Sequence, residues 1–239
     1  MSQITPYNDA RPKKEQVREM FDRIAPRYDL LNHILSCNID RLWRRRLVRL
    51  VRDGKPRRIL DVATSTGDSA IALARGIGEA HVTGVDISEG MLAMARTKVA
   101  NAALDTRITL MQQDAERLDF PDRAFDAVTV AFGVRNFAAL EQGLAELVRT
   151  LRPGGKLFVL ELSQPKGWFG RCYSWYATRM LPRIGGWLSH KQAYTYLPVS
   201  VEAFPAPERF TAMLEQAGLH DCTAKKLSFG IAHIFTGTR

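Results

Sequence analysis

Ile59-Leu60-Asp61-Val62-Ala63-Thr64-Ser65-Thr66-Gly67-Asp68 is the stretch that decides the fold. An apolar run closes on an acid. Small residues and one glycine then lead into a helical pattern, Ser69-Ala70-Ile71-Ala72-Leu73-Ala74. This order predicts a buried strand, a tight turn and a helix N-terminus, the place where α/β proteins bring backbone against a nucleotide-like ligand. The next apolar run, His81-Val82-Thr83-Gly84-Val85, closes on Asp86. An acid at the end of a second strand is placed to accept hydrogen bonds from ribose hydroxyls. Two strand-end acids around a small-residue turn predict a bound nucleoside.

The pattern continues outward from that turn. Strands are predicted at 57–63, 81–86, 107–112, 125–132 and 156–162, with helices at 67–76, 88–101 and 138–151. Ser88 is the expected N-cap of the second of these helices. The strands are almost continuously apolar, as in Phe125-Asp126-Ala127-Val128-Thr129-Val130-Ala131-Phe132. That is the pattern of a parallel sheet covered on both faces, joined by right-handed crossovers. Upstream, Val17, Met20, Phe21 and Ile24 carry helical spacing over 13–24, which Pro26 stops. A second helix is predicted at 40–52, with Trp43, Leu47, Leu50 and Val51 on one face.

Residues 164–205 break the alternation. They hold three of the four tryptophans (Trp168, Trp175, Trp187) and are punctuated by glycine and proline, so they are read as an inserted aromatic cap. The chain closes with a helix at 207–217 and strands at 220–228 and 231–238. The short Phe229-Gly230 connection makes these last strands an antiparallel hairpin. The expected architecture is one α/β, Rossmann-like domain over 1–239 with a mostly parallel seven-stranded sheet. An N-terminal helical lid (1–56), a nucleoside-binding core (57–163), the cap (164–206) and a C-terminal helix and hairpin (207–239) compose it.

Composition bounds the partners. The chain has 239 residues, 46% of them hydrophobic, enough for a substantial core. Lys and Arg number 34 against 25 Asp and Glu, a net charge of +9 that admits nucleic acid, anionic lipid or an anionic small molecule. The three cysteines (Cys37, Cys172, Cys222) are widely spaced, with no CxxC, so neither disulfides nor a metal site is expected and a cytoplasmic location is. The polar N-terminus lacks a signal-peptide pattern, and no apolar run approaches the roughly 20 residues of a membrane span.

Which nucleoside binds follows from missing glycines. A dinucleotide turn wants G-x-G-x-x-G so that backbone can approach a pyrophosphate. Here positions 63, 65 and 67 are Ala, Ser and Gly. S-adenosylmethionine (SAM) has no phosphate, and an acid near the turn, Asp61, can face its amino group and sulfonium. A third acid, Asp114 in Gln113-Asp114-Ala115, follows the third strand and can accept from the adenine amino group. Three acids ending three successive strands favour SAM.

Further segments then carry a family resemblance. They are Leu151-Arg152-Pro153-Gly154-Gly155-Lys156-Leu157-Phe158, Phe132-Gly133-Val134-Arg135-Asn136-Phe137, Leu160-Glu161-Leu162-Ser163-Gln164-Pro165 and Tyr194-Thr195-Tyr196-Leu197-Pro198-Val199-Ser200. With Val17-Arg18-Glu19-Met20-Phe21-Asp22-Arg23-Ile24-Ala25-Pro26-Arg27-Tyr28-Asp29, the chain resembles the UbiE/MenG family of ubiquinone and menaquinone C-methyltransferases from about residue 13 onward. The resemblance implies SAM contacts at Thr66, Asp86, Asp114, Ala115 and Ala131, beside Asp61 and Gly67 of the turn. Ala131 stands where the family pattern has serine, and Ser65 where it has glycine. A side chain at 65 either crowds the methionine portion or must accept positive φ.

The resemblance also implies a polyprenyl quinol substrate, methylated at a ring carbon: a demethylmenaquinol, or alternatively a methoxy-benzoquinol. Ionising a quinol hydroxyl delocalises charge onto the ortho carbon, which then attacks the sulfonium methyl. Arg135 is expected to stabilise the oxyanion, with Asn136 orienting it, Tyr28 reaching over the cleft and His33 as general base. Tyr194 and Tyr196 are candidate pocket-lining residues. Basic and aromatic residues interleave in helix 40–52 (Arg41, Arg44, Arg45, Arg46, Arg49, Arg52 with Trp43) and in the cap. That mixture suits the anionic inner face of a membrane. Expected partners are thus the quinol, an anionic membrane surface and, in a homodimer, a second copy of the chain. Nucleic acid is not expected, because the Asn/Asp-Pro-Pro-Tyr/Phe-type motif of base methylation is replaced by Ala131-Phe132-Gly133-Val134-Arg135.

Overall fold

The computed structural model describes residues 4–7, 9–36, 38–165 and 191–239, without the side chains of 31, 33–35 and 191–194. The cap residues Trp168, Trp175 and Trp187 therefore lie outside the described residues, as do the side chains of His33 and Tyr194.

Seven strands form one sheet: β1 (Arg58–Val62), β2 (His81–Asp86), β3 (Ile108–Gln112), β4 (Phe125–Ala131), β5 (Leu151–Leu162), β6 (His220–Leu227) and β7 (Ala232–Thr238). Their order is β3-β2-β1-β4-β5-β7-β6. The first five are parallel, and β7 joins β5 and β6 antiparallel. Chain order reverses between β1 and β4, which opens a crevice at the carboxyl ends of β1, β2 and β4.

Alternation of side chains explains the continuous apolar runs. Leu60, Val62, Val128 and Val130 face one core layer with Leu144, Leu147, Phe210 and Phe235. Ile59, Ala127, Phe158 and Ile234 face the other, with Trp43, Leu47, Val51 and Leu73. Helices α4 (Asp68–Gly76) and α5 (Glu89–Asn101) follow β1 and β2, and α6 (Leu140–Thr150) precedes β5. Ser88 caps α5 as expected, its hydroxyl accepting from Met91 N at 3.1 Å.

Three elements depart from the sequence pattern. Pro153-Gly154-Gly155 does not precede β5 but interrupts it: Leu151 already pairs with Phe125, and the ladder resumes at Lys156 opposite Ala127. Gly154, at φ 75°, lets the intervening residues loop out. The N-terminal region holds three helices rather than two. α1 (Lys13–Ile24) passes through a 3-10 turn at Ala25–Arg27 into α2 (Tyr28–Leu35), and α3 (Ile39–Asp53) follows. The end of the expected cap is helical, α7 (Lys191–Ala203), with Pro198 inside it. α8 (Pro207–Gln216) then leads to the C-terminal hairpin, with Pro207 in its first turn.

Candidate active site

The turn after β1 is built on three positive φ angles at alternate residues: Ala63 (54°), Ser65 (54°) and Gly67 (83°). Only one is glycine, so two L-residues sit in the left-handed region. Asp61 pegs the turn from below. Its buried carboxylate accepts from Thr64 Oγ1 and Thr129 Oγ1, both at 2.6 Å. Burial pushes its pKa up to about 6, against the pull of those two hydroxyls. Thr66 faces away from the crevice: its hydroxyl donates to Asp29 of α2, whose other oxygen takes Lys98 Nζ at 2.8 Å. A Cβ on Gly67 would stand 3.1 Å from that of Ala95, so glycine lets α4 start close against α5. Asp61, Thr66 and Gly67 thus shape the turn, and none of them lines the cleft beside it.

That cleft lies over the carboxyl ends of β1 to β4. Ser65, Asp86, Asp114, Ala115 and Ala131 all line it. Asp86 is 8% exposed. Its Oδ2 accepts from Ser65 N at 2.8 Å and its Oδ1 from Ser88 N at 2.9 Å. Burial raises its pKa to about 6, while these backbone donors oppose the rise. Asp114 accepts from Glu116 N at 3.0 Å and pairs with Lys14 of α1. The remaining wall is mostly apolar, including Val85, Ile87, Met91 and Phe137. Two carboxylates at the ends of adjacent strands, flanking an apolar slot, fit the ribose and adenine of SAM.

α1 covers the cleft. Val17, Met20 and Ile24 pack with Met91. Asp22 Oδ1 accepts from Ser88 Oγ at 2.6 Å and from Gly90 N at 3.0 Å, fastening α1 to the start of α5.

Ser65 shares a left-handed backbone with two other cleft residues, Ala63 and Phe132, but it alone stands where the family pattern has glycine. Holding a non-glycine residue in that region costs about 1–2 kcal/mol. Its hydroxyl also occupies the cleft wall, 3.4 Å from Met91 Sδ. Ser65→Gly is expected to tighten SAM binding about threefold to tenfold, because the backbone is then free to approach the methionine portion. Calorimetry showing equal or weaker affinity would remove this account of the turn.

Beyond the cleft lies a second chamber, lined by Tyr28, Asn32, Arg135, Asn136, Tyr196 and Ser200 among others. Phe21, Tyr28 and Asn136 line both spaces and so stand at the neck between them. Three buried polar atoms have no hydrogen-bond partner among the described residues: Arg135 Nε, Asn136 Oδ1 and Tyr196 OH. All three belong to residues lining this chamber, where buried polar groups ordinarily find partners. Burial pushes the Tyr196 hydroxyl up to about 12, so it is a donor at neutral pH.

Arg135 is held from behind. Its side chain is 8% exposed, and Nη1 donates to Glu161 Oε1 at 2.6 Å and Phe132 O at 2.5 Å. Burial by itself would lower the Arg135 pKa, but Glu161 reverses the balance and raises it. Sequence reasoning did not assign Glu161 to the site. The available signal was an acid inside the apolar run Leu160-Glu161-Leu162, since a charge in a buried strand demands a partner.

Comparisons with known proteins agree with this geometry. Residues 9–239 match the model of the ubiE/COQ5 methyltransferase family. A demethylmenaquinone methyltransferase from Thermus thermophilus is 51% identical over 222 residues, covering 92% of this chain and 100% of the relative. A ubiquinone/menaquinone biosynthesis C-methyltransferase UbiE from Geobacter sulfurreducens is 47% identical over 229 residues, covering 95% and 90%. Among solved structures, a SAM-dependent methyltransferase from Thermotoga maritima shares the fold with a TM-score of 0.64 at 18% identity, covering 92% of this chain and 98% of that one. The [4+2]-cyclase SpnF shares it too, at 0.64 and 22%, covering 90% and 76%, so the fold alone does not fix the chemistry. Sequence identity over nearly the whole length does what the fold cannot: this chain belongs to the ubiE/COQ5 methyltransferase family.

Proposed function

We propose that this protein methylates a ring carbon of demethylmenaquinol, giving menaquinol. The observation that carries this reading is a set of three buried polar atoms, without a partner among the described residues, on residues that line the chamber beside the cofactor cleft. They are complementary to a quinol. Arg135 Nε–H and Tyr196 O–H donate to the ionised ring oxygen, and Asn136 Oδ1 accepts from the other ring hydroxyl. SAM supplies a methyl group on a positively charged sulfur.

The chain's own residues do the rest. Asp86 takes the ribose hydroxyls, and Asp114 with Ala115 takes the adenine edge. Ala131 leaves space at the end of β4. Asp61, Thr66 and Gly67 act on the cofactor through the turn that they shape. Tyr28, at the neck, keeps water from the path between the two spaces and aligns the ring. His33 of α2 takes the quinol proton, so that charge accumulates on the ring carbon while Arg135 and Tyr196 hold the oxygen. At the end, hydrogen on that carbon has been replaced by methyl and one proton has been released.

The substrate's prenyl tail places the reaction at a bilayer surface. α3 supports this: Trp43, Leu47 and Val51 are buried, while Arg41, Arg45, Arg49 and Arg52 are exposed on the other side. None of these four makes an ion pair among the described residues, unlike Arg44, which pairs with Asp40. Leu42, 58% exposed, lies beside them. Such a face suits anionic lipid headgroups at the inner side of the membrane. No helix among the described residues is long and apolar enough to cross a membrane.

One assay tests both parts. Labelled SAM and reduced naphtho- or benzoquinols are supplied in vesicles of phosphatidylglycerol or phosphatidylcholine, and products are identified by mass spectrometry. Methylated naphthoquinol is expected, formed faster on phosphatidylglycerol. Preference for the benzoquinol would move the assignment to that ring. No methylated quinol would overturn the reading, and equal rates on both lipids would remove the anionic surface.

A further inference from the structure

Glu161 is fully buried at the end of β5. Its Oε1 accepts from Arg135 Nη1 at 2.6 Å and Leu162 N at 2.8 Å. Its Oε2 accepts from Arg135 N at 3.2 Å. Every contact of Glu161 with Arg135 is on the side of Nη1 and the backbone. Nε is buried and has no hydrogen-bond partner among the described residues, on a residue that lines the chamber.

A buried ion pair is seldom a strong source of stability, since losing hydration offsets most of its Coulombic gain. Its two consequences here are geometric and electrostatic. The guanidinium is held in one orientation from two sides, by the carboxylate and by Phe132 O. The positive charge of Arg135 in the chamber wall is also balanced by the negative charge of Glu161 directly behind it. A neutral aromatic ring then enters without meeting a net charge, whereas an anion arriving from water finds no net positive charge to offset its lost hydration. The Nε–H donor acts only at hydrogen-bond range, on the charge that develops on the ring oxygen after entry.

We propose that Glu161 is the positioning and selectivity residue of this chamber: it aims the Arg135 Nε edge at the ring and cancels its charge, so the site accepts neutral quinols and discriminates against aromatic carboxylates. This rests on the chamber being the acceptor site. It adds that the neutrality of the Arg135–Glu161 pair determines which aromatic ligands enter.

The test uses the full chain with S-adenosylhomocysteine bound. The probes are 2-naphthol as neutral ligand and 2-naphthoate as anionic ligand, both followed by calorimetry. The wild-type protein is expected to bind 2-naphthol at least about tenfold more tightly than 2-naphthoate. In Glu161→Gln that preference is expected to reverse, with 2-naphthoate tightened at least about tenfold and kcat for the quinol lowered. In Glu161→Asp the charge is kept but the shorter side chain withdraws from Nη1, so kcat falls without any gain in 2-naphthoate affinity. A merely structural Glu161 would change activity and melting temperature but leave the 2-naphthoate preference unmoved. Equal binding of the two probes by wild type overturns the inference even if no Glu161 variant folds. Absence of quinol turnover by wild type would instead strike the proposed function, so the two failures are separable.

Discussion

Arg135→Ala is expected to slow single-turnover methyl transfer about 1,000-fold, the upper end of what one preorganised oxyanion donor contributes. The loss falls on the chemical step, because Arg135 lines the inner chamber and not the cofactor cleft. SAM affinity should therefore stay within about threefold of wild type. The same substitution strands Glu161 in the core without its cation, and an uncompensated buried charge costs about 3–5 kcal/mol of stability. The melting temperature should fall with the rate, and assays belong well below it. Calorimetry with SAM separates the two effects: intact cofactor binding with lost turnover assigns Arg135 to the acceptor. Full activity in this variant would remove the oxyanion role.

Asp86→Asn is expected to weaken SAM binding about 100-fold, or about 2.7 kcal/mol. An amide has nearly the same shape as the carboxylate, but both oxygens of Asp86 already accept backbone N–H groups, from Ser65 and Ser88. Whichever way the amide turns, its NH2 meets a donor. The turn loses one anchor as the ribose loses its acceptor. The pH dependence follows from the same carboxylate, whose pKa burial raises to about 6. Above pH 6 it is ionised and accepts from ribose and backbone together. Below, it is protonated, and SAM affinity of the wild type should fall. The variant lacks this titration, so its affinity should vary less across this range, keeping only the part that passes through Asp61 of the same turn, whose pKa burial also raises to about 6. For the empty fold the sign is opposite. The stability contribution of a carboxyl with raised pKa is complete below the unfolded value of 3.8 and is lost as pH rises through about 6. A wild-type affinity independent of pH between 5 and 7 would contradict the assignment of Asp86 as ribose acceptor.

The fold was legible because each level of the sequence agreed with the next. Apolar runs ending in acids, alternating with helical spacing, leave few arrangements besides a parallel sheet with helices on both faces. Asp86, Asp114 and Ala115 were legible as cleft residues for the same reason: strand ends at a switch point converge on one crevice. Ser65 was legible as a misfit, since glycine is expected where φ turns positive, and its φ is 54°.

Other features were not local, and the sequence did not hold them. Asp61 reads as a ligand-facing acid until Thr129, 68 positions away, is seen to share its carboxylate. Thr66 reads as a cofactor contact until α2 arrives with Asp29. Glu161 and Arg135 are 26 residues apart and meet because β4 and β5 pair in parallel, bringing both strand ends to the same edge of the sheet. By itself the sequence determined the sheet, the nucleoside cleft and the family, because these depend on periodicity and on residues close along the chain. Only the tertiary structure decided which polar atoms have no partner among the described residues, because satisfying a hydrogen bond depends on the elements packed around it. In this protein those atoms, Arg135 Nε, Asn136 Oδ1 and Tyr196 OH, mark the second chamber.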